Sequence, residues 1–138
     1  MFIGHYAVAL AARRAVPEVS LGTLFIATQL ADLVWPVLVL AGIERFEIRP
    51  GITAFTPLDF VHYPYSHSLV ALLLWGAALG LVCMATGKVG KRSAIVVAAV
   101  VVSHWLLDFA SHRPDMPLVP GDETRFGLGL WKIGRAHV

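Results

Sequence analysis

Charge is what this sequence has least of. Only 14% of its 138 residues are Asp, Glu, Lys or Arg, where a soluble domain carries roughly a quarter. Apolar residues make up 57%. This balance argues against an ordinary soluble globule and for an integral membrane protein. The net charge is +2 and no basic run is interleaved with aromatics, so nucleic acid is not an expected partner. The one cysteine, Cys83, lies inside an apolar run. It cannot close an internal disulfide and carries no information on redox compartment. There is no C-x-x-C pair, no Gly-rich phosphate loop and no internal repeat. The N-terminus lacks the order of a signal peptide, because Arg13 and Arg14 follow the first apolar stretch instead of preceding it.

What is present is a series of apolar runs. The first, Phe2 to Val16, reaches only about 22 Å as a helix, short of a hydrocarbon core of about 30 Å. The second, Val19 to Ile43, is long enough to span and contains Pro36, which is expected to kink it. A polar stretch, Glu44 to Tyr65, reads as an ordered loop with a short interfacial helix around "PLDFVHY". The third span is Ser66 to Thr86, with Ser66 as its expected N-cap. After the short basic loop "GKVGKR" comes the fourth, Ser93 to His112. The expected fold is all-α: one integral membrane domain over residues 1–138, with three long spans and a short N-terminal helix. "FGLGLW" reads as the opening of a further helix, and residues 131–138 read as a truncated or non-native end. Lysine and arginine in short loops set orientation. "GKVGKR" and "ARRAVPE" fall on one side, expected to be cytoplasmic. The His62 loop and the tail then face outward, to the periplasm if the chain is a multi-pass protein of an inner membrane.

Polar residues inside these runs carry the chemistry. In "SHWLLDFASHRPD", His104, Asp108 and His112 recur at i, i+4 and i+8, which places them on one helical face. Asp115 continues that face only if the helix passes Pro114. An intramembrane Asp costs about 2.5–3.5 kcal/mol on insertion scales and usually marks function. Asp32 is a second such carboxylate, with Gln29 one turn before it. No lysine or arginine lies within the three long spans to neutralise either. A bound cation would, and zinc and related metals accept mixed imidazole and carboxylate donors. "HYPYSHS" places His62 and His67 at the opening of the third span. His5 comes to the same end if the first helix dips in from the outer side. The candidate metal ligands are therefore His5, Asp32, His67, His104, Asp108 and His112. His62 and Asp32 are the candidates for acid/base work on a substrate. The plainer readings are an interfacial aromatic-belt role for His62 and a water-facing helix end for His112.

This ordered set resembles the YdjM-like family of small inner-membrane proteins described as metal-dependent hydrolases. The matching features are His5, Asp32, the His62–His67–Ser68 element and the His104–Asp108 pair, from residue 5 to about residue 120. The sequence departs from the family pattern in two motifs, and the family's closing helix reads as missing or truncated. "QLADLVWP" stands where a Pro-Asp-x-Asp element is usual, and "HYPYSHS" lacks the Arg and Gly of the family's version. A fainter similarity, to zinc-dependent phospholipase C in its His/Asp-rich helical site, points to phosphoester chemistry. The resemblance implies a membrane-embedded hydrolase that uses a divalent metal, zinc first and manganese or iron next. A lipid or lipid-linked substrate at the outer face, cleaved at a phosphoester or acyl bond, follows from the site's depth. Other classes that the same residues fit are a small transporter or proton relay, a haem-binding span pair, and a structural protein with His/Asp links between helices.

Overall fold

The computed structural model describes residues 2–52, 57–87 and 89–130. Residues 131–138, expected as an atypical end, lie outside the described residues. The chain is mostly helical. Helices α1 (Phe2–Ala15) and α2 (Leu21–Leu40) are followed by a ribbon of β1 (Arg45–Ile48) and β2 (Leu58–His62). A single turn, α3 (Pro64–His67), leads into α4 (Leu69–Ala85) and α5 (Lys91–Ser111), and a second small ribbon of β3 (Met116–Pro117) and β4 (Arg125–Phe126) follows.

Three expectations need correction. The fold is not purely α, because both ribbons are antiparallel pairs. "PLDFVHY" forms strand β2, in which Leu58 and Phe60 pair with Ile48 and Phe46. The alternation of Leu58 and Phe60 along one face favours extended backbone over a helix. "FGLGLW" does not open a helix within residues 126–130. There the amides of Leu128, Gly129 and Leu130 donate to the carbonyls of Phe109, His112 and Ala110, which occupies acceptors at the end of α5 that have no partner inside the helix.

Of the three expected long spans, α2 and α5 are long and apolar enough to cross a membrane. The third, α4, has 17 residues and reaches only about 25 Å. It is short because Ser66 and His67 belong to α3, and the N-cap of α4 is Ser68, whose Oγ accepts the Ala71 amide at 3.1 Å. The outward surface is apolar: Ile26, Leu33 and Val37 on α2, Leu73, Leu74, Leu81 and Val82 on α4, and Ile95 and Leu106 on α5 are all exposed. An apolar shell of this extent suits lipid better than water.

Local signals place each element. Ser20 caps α2 by accepting the Thr23 amide at 3.0 Å. α2 runs through Pro36 as one helix, and Pro36 has no N–H to give to the Asp32 carbonyl. Its C-terminus closes with Gly42 at φ +73°, Gly42 N–H donating to Val39 and Ile43 N–H to Leu38. This is the Schellman arrangement, and it needs a residue free to adopt positive φ. The turn delivers Glu44 to the interior, where it is 1% exposed.

α4 and α5 pack most closely. A Cβ added at Gly76 would stand 2.8 Å from the Ala98 carbonyl oxygen, and one at Gly80 would stand 2.8 Å from that of Ala94. Gly76-x-x-x-Gly80 is therefore the face on which the two backbones touch. At the basic end, the Ser93 hydroxyl donates to Glu18, so the two basic loops lie together. At the other end the tail folds back on the bundle: Trp105 Nε1 donates to Pro117 O at 3.0 Å, and Val70 N to Leu118 O at 3.1 Å.

Candidate metal centre

Near the end opposite the basic loops, five side chains from four helices converge. α5 contributes His104 and Asp108, α2 Asp32, α3 His67 and α1 His5. His104 Nε2 lies 3.2 Å from Asp108 and 3.8 Å from Asp32. His67 Nε2 lies 3.4 Å from Asp32, and His5 Nε2 3.4 Å from Asp108. The His5 and His104 rings stack at 4.0 Å, and His67 meets His104 edge-on at 5.3 Å. Two triads, His5–His104–Asp108 and Asp32–His67–His104, each have their donor atoms within 4.8 Å of one another. They share His104, so the five residues form one continuous centre that could hold a metal ion.

Sequence spacing alone left a gap in depth between His67, at a span's outer start, and Asp32 and His104 nearer its middle. The shortness of α4 closes it. His104 and Asp108 stand about 20 and 26 Å along α5 from Lys91, while α4 rises only about 25 Å from the basic end. Its start, with His67 just before it, therefore sits at the level of the α5 pair.

Hydrogen bonds fix which ring nitrogens face the centre. His104 Nδ1 lies 2.7 Å from the Thr28 carbonyl, a pure acceptor, so Nδ1 carries the proton and donates. A neutral His104 then presents a bare Nε2, buried and 3.2 Å from Asp108. His67 Nδ1 lies 2.7 Å from Ser66 Oγ, which lies 2.6 Å from Glu44 Oε2. Glu44 also accepts the Tyr65 and Ser66 amides at 2.8 Å each. With the Ser66 proton on Glu44, Ser66 accepts from His67 Nδ1, and Nε2 again faces inward with its lone pair. His5 is 1% exposed, and its Nε2 is turned to Asp108. Anchoring the outer nitrogen of an imidazole so that the inner one is available is how proteins commonly prepare histidine for metal.

These lone pairs point at carboxylate oxygens. Acceptor facing acceptor at such range is unfavourable unless a proton or a cation lies between them. Two donors held about 2.0–2.1 Å from one tetrahedral ion stand about 3.3 Å apart, and the observed separations of 3.2 to 3.8 Å bracket that value. Lysine and arginine are absent from α2 and α4, and α5 carries Lys91 and Arg92 only in its first turn, at the far end from Asp108.

His112 lies at the lip of the centre. It caps α5, is 27% exposed at its side chain, and stands 3.7 Å from Asp108 and 3.3 Å from Asp115. It belongs to neither triad. His62, at the end of β2, meets the Tyr65 ring at 6.3 Å and also belongs to neither. α5 stops at Ser111, before Pro114, so Asp115 lies off the helix and reaches His112 through the turn. Asp115 in turn accepts from Arg113 Nε at 3.2 Å, and Arg113 pairs with Asp59 of the first ribbon. Arg49 reaches the same Asp59 at 3.1 Å. These pairs tie the ribbon and the tail together over the end opposite the basic loops. Tyr63 adds to them by donating to the Asp115 carbonyl at 2.7 Å. Burial, with Asp115 alongside, holds its phenol well above the usual value.

Glu44, Ser66 and the Thr28 carbonyl were not anticipated from sequence. Glu44 stands directly after an apolar span that ends in glycine, but its partner is 22 positions away, and no local spacing links them. Comparison with protein-family models, with curated proteins and with solved structures finds no match for this chain.

Proposed function

We propose that this chain is a membrane-embedded, metal-dependent hydrolase. One observation carries the reading: three imidazoles and two carboxylates from four helices meet at metal-ligand spacing, and hydrogen bonds on the opposite side of the His67 and His104 rings turn their Nε2 atoms inward. His67, His104, Asp32 and Asp108 are the ligands, and His5 completes the set through Nε2. All five offer nitrogen or oxygen, which suits zinc first and manganese or iron next. Bound there, such a cation would polarise a phosphoryl or acyl oxygen and activate a water. His112, partly open and beside Asp108, is placed to touch a substrate.

The approach to the centre favours a lipid or lipid-linked substrate. Asp32 is its open edge, with a side chain 32% exposed, and Leu33 and Val37 beside it on α2 are exposed apolar residues. A molecule reaching Asp32 must cross an apolar surface, which an acyl chain does at no cost. The orientation rule puts the basic loops in the cytoplasm. The centre then lies in the outer half of an inner membrane, on the periplasmic side. The resemblance to the YdjM-like family accords with the same reading.

The test is metal content and turnover of the full chain purified in detergent. Zinc, manganese or iron at one or two ions per chain is expected, together with metal-dependent release of water-soluble product from vesicles of phospholipid. A chain that takes up no stoichiometric metal from zinc-, manganese- or iron-supplemented medium contradicts the proposal. A chain that binds metal but cleaves neither phosphoester nor acyl bonds removes the hydrolase half of it.

A further inference from the structure

Glu44 is an acid buried to 1% exposure at the outer end of an apolar bundle, yet it touches none of the five converging residues directly. Among the described residues its three hydrogen bonds go to α3. Oε1 accepts two backbone amides, Tyr65 N and Ser66 N, and Oε2 accepts the Ser66 hydroxyl. The turn at Gly42 and the chain reversal after it serve to bring this carboxylate to that position.

Direction along the chain of bonds decides its purpose. Ser66 Oγ has a single proton and three polar neighbours: Glu44 Oε2 at 2.6 Å, His67 Nδ1 at 2.7 Å and the Tyr63 carbonyl at 3.4 Å. Glu44 as a carboxylate and the Tyr63 carbonyl can only accept. The hydroxyl proton therefore points to Glu44, Oγ presents its lone pair to His67, and Nδ1 of His67 must be the protonated nitrogen. We propose that Glu44 and Ser66 are positioning residues that lock His67 in the Nδ1–H tautomer and thereby keep its Nε2 free for a cation beside Asp32. The proposal rests on the metal reading above for its purpose, while the direction of the Glu44–Ser66–His67 bonds, which puts a proton on Nδ1, follows from hydrogen bonding alone.

The chain of bonds can be reversed with one atom. In Glu44→Gln the side-chain carbonyl keeps the two backbone amides, since an NH2 group there would face two donors. The NH2 group must then take the Oε2 position and donate to Ser66 Oγ. The hydroxyl proton turns to its nearest remaining acceptor, His67 Nδ1, and the ring is driven to Nε2–H, a form that cannot ligate through Nε2. Ser66→Ala only removes the hold and leaves both tautomers open. Loss of an outer hydrogen-bond partner typically lowers metal affinity about 10–100-fold. The expected order is therefore wild type tightest, Ser66→Ala about tenfold weaker, and Glu44→Gln about 100-fold weaker. In the double variant the reversed bond has no hydroxyl to act through, so affinity recovers from the Glu44→Gln level to that of Ser66→Ala.

The experiment uses the full chain in detergent, with two readouts. Long-range proton–nitrogen spectra of isotope-labelled histidine, recorded without metal at a pH where the ring is neutral, give the tautomer, with His67→Gln identifying the signal. Cobalt(II) titration, followed by its visible absorption, gives affinity. Nδ1–H in the wild type, Nε2–H in Glu44→Gln and recovery of affinity in the double variant are the expected results. An unchanged tautomer in Glu44→Gln, or a double variant no tighter than Glu44→Gln, overturns the proposal, because a merely structural role predicts that two lesions are worse than one. If Glu44→Gln does not fold, Ser66→Ala carries the test, and a His67 still wholly Nδ1–H in that variant overturns it. A wild type that ignores cobalt and zinc while its tautomer follows the scheme would sink the metal reading and leave the tautomer lock standing.

Discussion

The two halves of the α4–α5 pair are built on opposite principles. Toward the basic end, Gly76 and Gly80 press against the backbone at Ala98 and Ala94, and the contact is made of small apolar residues with no side-chain hydrogen bond to satisfy. Toward the opposite end, the same α5 turns His104 and Asp108 inward against residues from three other helices. The first half gains stability from close van der Waals packing. The second buries charge and bare lone pairs, each unsatisfied polar group costing about 1–3 kcal/mol. The comparison teaches a division along one helix: close backbone packing on one half of α5, and inward-turned polar groups on the other.

The largest expected break in this comparison is at the outer half. His104→Gln, removing the donor common to both triads, should weaken zinc binding by about 1,000-fold, equivalent to about 4 kcal/mol, while thermal unfolding of the metal-free chain changes little. Competition with a zinc chelator measures the first and a melting curve in detergent the second. Next is the inner half. Gly80→Val places atoms within 2.8 Å of a backbone oxygen and should cost about 1–3 kcal/mol by overpacking, lowering the melting temperature. Each folded molecule should still bind zinc normally. If Gly80→Val lowers affinity by as much as His104→Gln does, the two halves are not separable.

A smaller effect is expected at the outer strap. The folded-state phenol of Tyr63 titrates above its ordinary value because it is buried beside Asp115. A raised folded value means that this group's contribution is fully present below about pH 10, the ordinary tyrosine value, and is lost as pH rises beyond it. Tyr63→Phe should make unfolding less sensitive to alkali above about pH 10, read from melting curves at stepped pH. The smallest effect is expected at His62, which lies outside both triads. His62→Ala should leave zinc affinity within about threefold, near the usual scatter of surface substitutions. A loss as large as that of His104→Gln would move His62 into the centre.

The parts legible in the sequence were those that depend on local pattern. The apolar runs located α1, α2 and α5 to within a few residues, and the i, i+4 spacing put His104 and Asp108 on one face. The ribbons were harder to see because their signal, alternating Phe46 and Ile48 against Leu58 and Phe60, is short and interrupted by Pro50, Gly51 and Pro57. The boundary at Ser68 was misplaced because both Ser66 and Ser68 precede the apolar run. Only the Glu44 carboxylate, arriving from far along the chain, commits Ser66 to His67. The Gly76-x-x-x-Gly80 contact is a close-approach motif inside an apolar helix, and the many small residues of these runs hide it.

The central claim, that these five side chains share a cation, is tested most directly by locating the metal. Crystals of the full chain grown with zinc, with data collected at the zinc absorption edge, should show an anomalous peak at bonding distance, about 2.0–2.2 Å, from Nε2 of His67 and His104 and from carboxylate oxygens of Asp32 or Asp108. A zinc-saturated chain whose anomalous peaks all lie elsewhere, with His67 and His104 bonded only to protein, would contradict it.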